Sequence, residues 1–251
     1  MDSPSFFDTP DGRQIAYHQT EGSSPGVVFL GGFASDMTGT KAIHLEEWAK
    51  ARGCGYLRFD YSGHGQSSGA FEDGAIGDWA ADARAVIAAK TNGPQILVGS
   101  SMGGWISLLM TKAMPDRIAG LVTIAGAPDF TEDSMWAGFN EAQRAELEQN
   151  GQVKLPSDYG DPYTITRRLI DDGRNNLVLR DPLHLPFPVR FLQGTADADV
   201  SMDVALRLLD HATGPDMRLV LLKGGDHRMS DPKALTLIEN AIENVFNTLK
   251  G

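Results

Sequence analysis

Cysteine is nearly absent from this sequence: Cys54 is the only one in 251 residues. A lone thiol cannot close an intramolecular disulfide, the usage expected of a reducing compartment. With no base or tight turn beside it, Cys54 reads as buried and inert. Positive charge is in deficit, with 22 Lys and Arg against 33 Asp and Glu and a net charge of −11. That balance argues against nucleic acid and anionic membrane surfaces as partners. No apolar run is long enough to span a bilayer. The stretch Met1–Asp8 has neither the basic start nor the apolar core of a signal peptide. Repeats and low-complexity tracts are missing too. These absences lead us to expect a soluble cytoplasmic protein and leave its oligomeric state open.

Metal-binding patterns are lacking as well. His64, set among glycines in Tyr61–Gly69, has no second ligand at a useful spacing and reads as structural, so no metal site is expected. His18 reads as a surface or edge residue.

What is present is ample core material, 41% of the residues being hydrophobic, in a length that suits one α/β domain with an insertion. An opening hairpin is predicted over residues 5–20, around the turn Thr9-Pro10-Asp11-Gly12. Strands are predicted at Gly26–Leu30, Tyr56–Asp60, Pro94–Val98, Ile118–Ala125, Pro188–Leu192 and Arg218–Leu222, the first a continuous apolar run of the kind buried on both faces of a parallel sheet. Helical spacing falls between them at about 40–51, 75–90, 104–110, 201–211 and 231–249. From 129 to 187 the strand–helix alternation stops. That stretch is polar and interrupted, with helices predicted at Phe139–Gln149 and Tyr163–Asp171. We read it as a lid inserted into a core made of residues 1–128 and 188–251. Its apolar side chains Met135, Trp136, Phe139, Leu155, Tyr159, Tyr163 and Leu169 could line an acyl pocket or only pack the lid onto the core. Arg167 and Arg168 read as a solvated helix face, with a carboxylate-bearing substrate as the other reading.

The chemistry centres on Gly99-Ser100-Ser101-Met102-Gly103, a Gly-x-Ser-x-Gly turn between a strand and a helix. This is the pattern of a nucleophile elbow: glycines admit a turn too tight for Cβ atoms, and the central serine stands clear of the sheet. Ser101 is therefore the expected nucleophile, with the Met102 amide aimed at a bound carbonyl oxygen. Gly31-Gly32-Phe33, directly after a central strand, would present the Phe33 amide as the second oxyanion donor. A serine alcohol needs a base, and that base needs a carboxylate on its far nitrogen. His227, in the loop straight after the last predicted strand, fills the first role. Asp197, in Gly194-Thr195-Ala196-Asp197, is the expected acid, with Asp199 as the alternative because both point the same way if extended. Asp199 could instead cap the following helix. Asp226 is too close in sequence to reach the far ring nitrogen of His227, and Ser100 should face inward.

The elbow, the order Ser…Asp…His and the position of the lid resemble the α/β-hydrolase superfamily over nearly the whole chain. Four stretches are similar to its acyl-protein thioesterase branch, the branch of palmitoyl-protein thioesterase and acyl-glucuronide esterase activities: Met37–Ala42, Leu57–Gly63, Gly93–Trp105 and Asp226–Met229. The resemblance implies an α/β-hydrolase fold, with a mostly parallel sheet, helices on both faces and a helical lid. It also implies Ser101, Asp197 and His227 as the triad, and hydrolysis of acyl esters or thioesters without a cofactor. Gly31-Gly32 stands where many superfamily members have His-Gly, so only the backbone role of Phe33 transfers. The expected substrate is a small or acylated molecule. Two other functions fit the same residues: C–C bond hydrolysis on this fold, and a non-catalytic protein that binds a small ligand.

Overall fold

The computed structural model describes residues 3–156 and 162–250. Strands β1 (Ser5–Asp8) and β2 (Gln14–Thr20) form the opening antiparallel hairpin. Strand and helix then alternate through β3 (Ser23–Leu30), α1 (Thr40–Arg52), β4 (Cys54–Phe59), α2 (Ile76–Lys90), β5 (Gln95–Ser100), α3 (Met102–Ala113) and β6 (Ile118–Ile124). Next come α4 (Glu141–Asn150), β7 (Gln152–Leu155), β8 (Tyr163–Thr166), α5 (Arg167–Arg174) and the two-residue β9 (Leu183–His184). The chain closes with β10 (Val189–Gly194), α6 (Met202–His211), β11 (Ala212–Thr213), β12 (Met217–Leu222) and α7 (Pro232–Lys250).

Eight strands make one sheet in the order β1-β2-β4-β3-β5-β6-β10-β12. β2 runs antiparallel to β1 and β4, and every join from β4 to β12 is parallel. Successive side chains on a strand face opposite sides, and the core divides accordingly. Val28, Leu30, Leu97 and Phe191 pack with α2, α3 and α6, where Trp79 and Trp105 are fully buried. Val27, Phe29, Val98 and Leu192 pack with α1 and α7. Both faces being covered explains why the second half of β3, Gly26–Leu30, reads as an unbroken apolar run. The sheet's parallel strands all end at one rim, and that rim carries the loops of the site.

β6 and β10 are hydrogen-bonded neighbours, so the chain from Ala125 to Pro188 leaves the sheet and comes back beside its departure point. The helices predicted in this excursion are only partly right. α4 starts at Glu141 because Asn140 caps it: Asn140 Oδ1 accepts from Gln143 N at 2.9 Å, and Gln143 Oε1 accepts from Asn140 N at 3.0 Å. Tyr163–Thr166, predicted as helix, is a strand paired antiparallel to Gln152–Leu155. Tyr, Thr and Ile favour a pleated ribbon once a partner strand is available. The helix begins only after Thr166, whose Oγ1 accepts from Leu169 N at 3.1 Å. A π-helical turn at Thr131–Trp136 had no signature in the sequence. Tyr159, one of the expected pocket residues, lies outside the described residues.

Candidate active site

β5 ends at Ser100 and α3 starts at Met102, which leaves Ser101 alone in the turn, at φ 54 and ψ −118. This backbone is uncommon for a residue with a Cβ and is held by its surroundings. Ser101 N donates to Ile124 O on β6 at 2.9 Å, and Ser101 O accepts from Gly104 N and Ala127 N. The glycines are steric requirements. A Cβ on Gly103 would lie 2.0 Å from Leu30 O, and one on Gly99 2.3 Å from Gly103 O. α3 can therefore start against the end of β3 only without side chains there.

The turn that carries Asp197 follows β10. Asp197 Oδ1 accepts from Asp199 N at 2.9 Å and Val200 N at 2.8 Å, and Oδ2 accepts from Gln193 Nε2 at 2.9 Å. The loop after β12 brings His227 to it. His227 Nδ1 lies 2.9 and 3.1 Å from the two Asp197 oxygens, and Nε2 lies 3.1 Å from Ser101 Oγ. Close backbone approach makes this meeting possible: a Cβ on Gly194 would be 2.2 Å from Gly225 O. The Asp197 side chain is fully buried. Burial alone would raise its pKa, but the His227 ring and the two amides outweigh that and hold it below the ordinary carboxylate value. Asp197 is thus an anion at neutral pH, accepting from Nδ1 and so leaving the Nε2 lone pair toward the serine.

The structure brings together Ser101, Asp197 and His227, and the loop with Phe33 abuts them: a Cβ on Gly32 would be 3.4 Å from Ser101 Cβ. The Met102 amide is the first of α3, one of the helix-start donors with no intrahelical acceptor. Asp199 is nearby, while the bonds at the ring's Nδ1 go to Asp197. Its carboxylate, that of Asp197 and the His227 ring have atoms within 4.8 Å of one another, and its own N–H supports Asp197. It does not cap α6, whose N-cap residue is Ser201. Asp226 Oδ1 accepts from Met229 N at 2.9 Å, a loop-shaping bond. Ser100 and Cys54 are buried, and burial pushes the Cys54 thiol up.

A cavity of about 700 Å³ opens on Ser101 and His227. Its lining includes the apolar side chains of Phe33, Phe130, Met135, Tyr163 and Leu179, and the polar ones of Thr40, Lys41, Asp133, Arg207 and Arg228. Burial lowers the Lys41 amine to about 8, and Lys41 Nζ donates to Arg228 O. Of the predicted lining residues, Met135 and Tyr163 reach the cavity, whereas Phe139 and Leu169 are buried in the core. Arg167 and Arg168 face away: they pair with Asp171 at 3.2 Å and Asp78 at 2.6 Å. Sequence reasoning missed Gln193, near the end of β10 and four residues before Asp197, and Lys41. An amide at the last buried turn of a strand leading into Gly-x-x-Asp was the available signal for the first. For Lys41 it was its place in Met37–Ala42, one of the stretches similar to the thioesterase branch.

This rim of a mostly parallel sheet, with a serine elbow facing a His–Asp pair, defines a hydrolase site. The chain belongs to the alpha/beta hydrolase fold family, whose profile matches residues 25–202, and it is a hydrolase. A bovine protein named palmitoyl-protein thioesterase ABHD10, mitochondrial, is 35% identical over 252 residues, covering 98% of this chain and 81% of its own. A protein of known structure from Agrobacterium vitis S4 matches with a TM-score of 0.93 at 40% identity, over 96% of this chain and 98% of its own. The mouse alpha/beta hydrolase domain-containing protein 10 matches with a TM-score of 0.91 at 33% identity, over 99% of this chain and 100% of its own.

The relatives correct one expectation. The cytoplasmic location inferred from composition does not stand, because the bovine relative and its human and mouse counterparts carry a mitochondrial name. A single thiol and an acidic surface report redox chemistry and solubility, not an address. Among the described residues no helix is long and apolar enough to cross a membrane.

Proposed function

We propose that this protein is a serine hydrolase that cleaves acyl thioesters and esters through an acyl-enzyme. Ser101 Oγ attacks the acyl carbon while His227 Nε2 takes its proton, and Asp197 stabilises the imidazolium that results. The Met102 and Phe33 amides receive the negative charge on the carbonyl oxygen. As the tetrahedral adduct collapses, the C–S or C–O bond breaks and His227 returns the proton to the leaving thiol or alcohol. Water then attacks the acyl-serine, its proton goes to His227, and the acid leaves with the serine restored. The observation that carries this reading is the bonded chain from Ser101 Oγ to His227 to Asp197, at 3.1 and 2.9 Å.

In this reading residues 129–187 are the lid over a core of 1–128 and 188–251, and the acyl chain lies along Phe130, Met135, Tyr163 and Leu179. The name of the bovine relative and the apolar side chains in the cavity lining both favour a long acyl group. A fluorophosphonate probe tests the chemistry, since it reacts with an activated serine. Mass mapping should find one adduct, on Ser101, that is lost in His227→Ala. A folded protein that takes up no probe, or takes it up elsewhere, would contradict the proposal.

A further inference from the structure

The loop Gly31–Asp36 carries the Phe33 amide, and that amide can stabilise an oxyanion only if the loop stays in place. The loop's own bonds are few: Ser35 N and Oγ both go to Gly32 O, at 3.3 and 2.8 Å. Ala34 sits at φ 53, a left-handed conformation that residues with a Cβ rarely adopt. Its N–H points away from the loop and donates to Nε2 of His64 at 3.2 Å.

His64 is 3% exposed, and its Nδ1 lies 3.2 Å from Ser62 O. A carbonyl only accepts and an amide only donates, so one protonation state satisfies both neighbours: hydrogen on Nδ1, lone pair on Nε2. An imidazolium would turn a second N–H toward that of Ala34. Ser62 is itself anchored, its N and Oγ donating to Asp82 Oδ2 at 2.9 and 2.6 Å. Asp82, fully buried on α2, also accepts from Arg13 Nε at 2.7 Å. A line of bonds thus runs from Arg13 through Asp82, Ser62 and His64 to the amide next to Phe33. The rings reinforce it. Phe71 and Trp79 stack, and they take the His64 ring edge-on at 5.1 Å each and the Phe33 ring at 4.9 and 5.9 Å.

We propose that His64 is a positioning residue for the oxyanion loop: as a neutral acceptor it fixes the Ala34 amide, and with it the direction of the Phe33 N–H. The inference rests on the reading of Phe33 as an oxyanion donor. His64 acts through the loop and not on the substrate, which separates it from the His227–Asp197 pair. The titratable groups around it are Asp82 from α2 and the buried Tyr61 hydroxyl.

Two measurements test this. In the unaltered protein labelled with ¹⁵N-histidine, long-range ¹H–¹⁵N spectra should show His64 protonated on Nδ1 and bare on Nε2 at pH 7. A proton on Nε2 overturns the proposal, and no variant has to fold for that result. In ester hydrolysis, His64→Leu removes the acceptor and should lower kcat about 10- to 100-fold, the scale of a displaced catalytic group. KM should change little, and affinity for an arylboronic acid, which imitates the tetrahedral adduct, should fall by the same factor as kcat. His64→Gln keeps an acceptor at the Nε2 position and should recover most of the loss. A folded His64→Leu with the parental kcat, or a His64→Gln as impaired as His64→Leu, overturns the proposal. Ser101→Ala, run beside them, separates the two levels. If it retains activity, the reading of Ser101 as the nucleophile fails; if it is inactive while His64→Leu is unimpaired, only the role of His64 fails.

Discussion

The rim of the core and the inserted segment 129–187 both face the same cavity, yet they are held in different ways. At the rim, backbone passes so close to backbone that side chains are excluded: Gly103 against Leu30, Gly99 against Gly103, Gly194 against Gly225. Such positions have no graded response, because an added Cβ overlaps an atom that cannot move alone. The inserted segment instead buries side chains such as Phe139, Leu169 and Ile170 in the core and is tied further by polar contacts. Asp129, buried at φ 57, accepts from Val178 N, Leu179 N and Arg180 Nη1 at 2.8, 3.0 and 3.1 Å. Asp133 pairs with Arg180 and, across to α6, with Arg207. Trp105 Nε1 of α3 donates to Asn176 O at 2.9 Å. Ser101, Asp197 and His227 thus stand where close backbone admits no side chain, and the cavity wall from 129–187 stands where apolar packing is joined by exchangeable polar bonds.

That contrast predicts a hierarchy of effects. The largest belongs to Ser101→Ala, which should lower kcat for ester hydrolysis by about 10⁶-fold, on the precedent of other serine hydrolases. Asp197→Asn comes next, with a loss of about 10⁴-fold and an unchanged melting curve, because the ring keeps a partner but in the wrong tautomer. Asp199→Asn should stay within about threefold, as for a charge beside the bonded chain and not in it. If Asp199→Asn proves the crippling change, the acid has been misassigned. In the inserted segment the readout shifts from rate to stability. Asp129→Ala strands two buried amides and should cost about 2–3 kcal/mol by urea unfolding. Arg207→Ala breaks an ion pair whose side chains are 47% and 25% exposed and should cost no more than about 1 kcal/mol. A large loss there would erase the distinction drawn between the two regions.

The smallest effect is a pH dependence. Burial holds the His64 imidazole below its ordinary value of 6.5. Below that value the unfolded chain binds a proton that the native ring refuses, so stability is full above 6.5 and declines as pH falls toward the folded pKa. His64→Gln should flatten the slope of unfolding free energy with pH in that range, measured by urea titrations from pH 7.5 downward. An identical slope would mean that His64 is protonated without penalty.

The two regions also differed in how far they could be read from the sequence. Ser101, Met102 and Gly103 announce themselves because a strand, a tight turn and a helix must meet there. His227 follows from its place after the last strand. Asp197 and Asp199 could not be separated by periodicity, since what distinguishes them is the turn that lays two amides and Gln193 on Asp197. His64 was read as structural because no second metal ligand accompanies it. Its partner is a backbone amide, which leaves no trace in side-chain spacing. In 129–187 the error at Tyr163–Thr166 arose because a short ribbon depends on its partner strand more than on its own pattern. Similarly, Lys41 enters the cavity through the approach of α1 to the loop after β12, a tertiary fact.

The central claim is that Ser101, driven by His227, forms an acyl-enzyme with chains that fit along the apolar side chains in the cavity lining. Hydrolysis of p-nitrophenyl esters from acetyl to palmitoyl, with Ser101→Ala beside the parent, tests it most directly. The account predicts turnover that disappears in Ser101→Ala and a preference for long chains over acetyl. A folded parent that hydrolyses no ester of any length, or a Ser101→Ala variant as active as the parent, would contradict it.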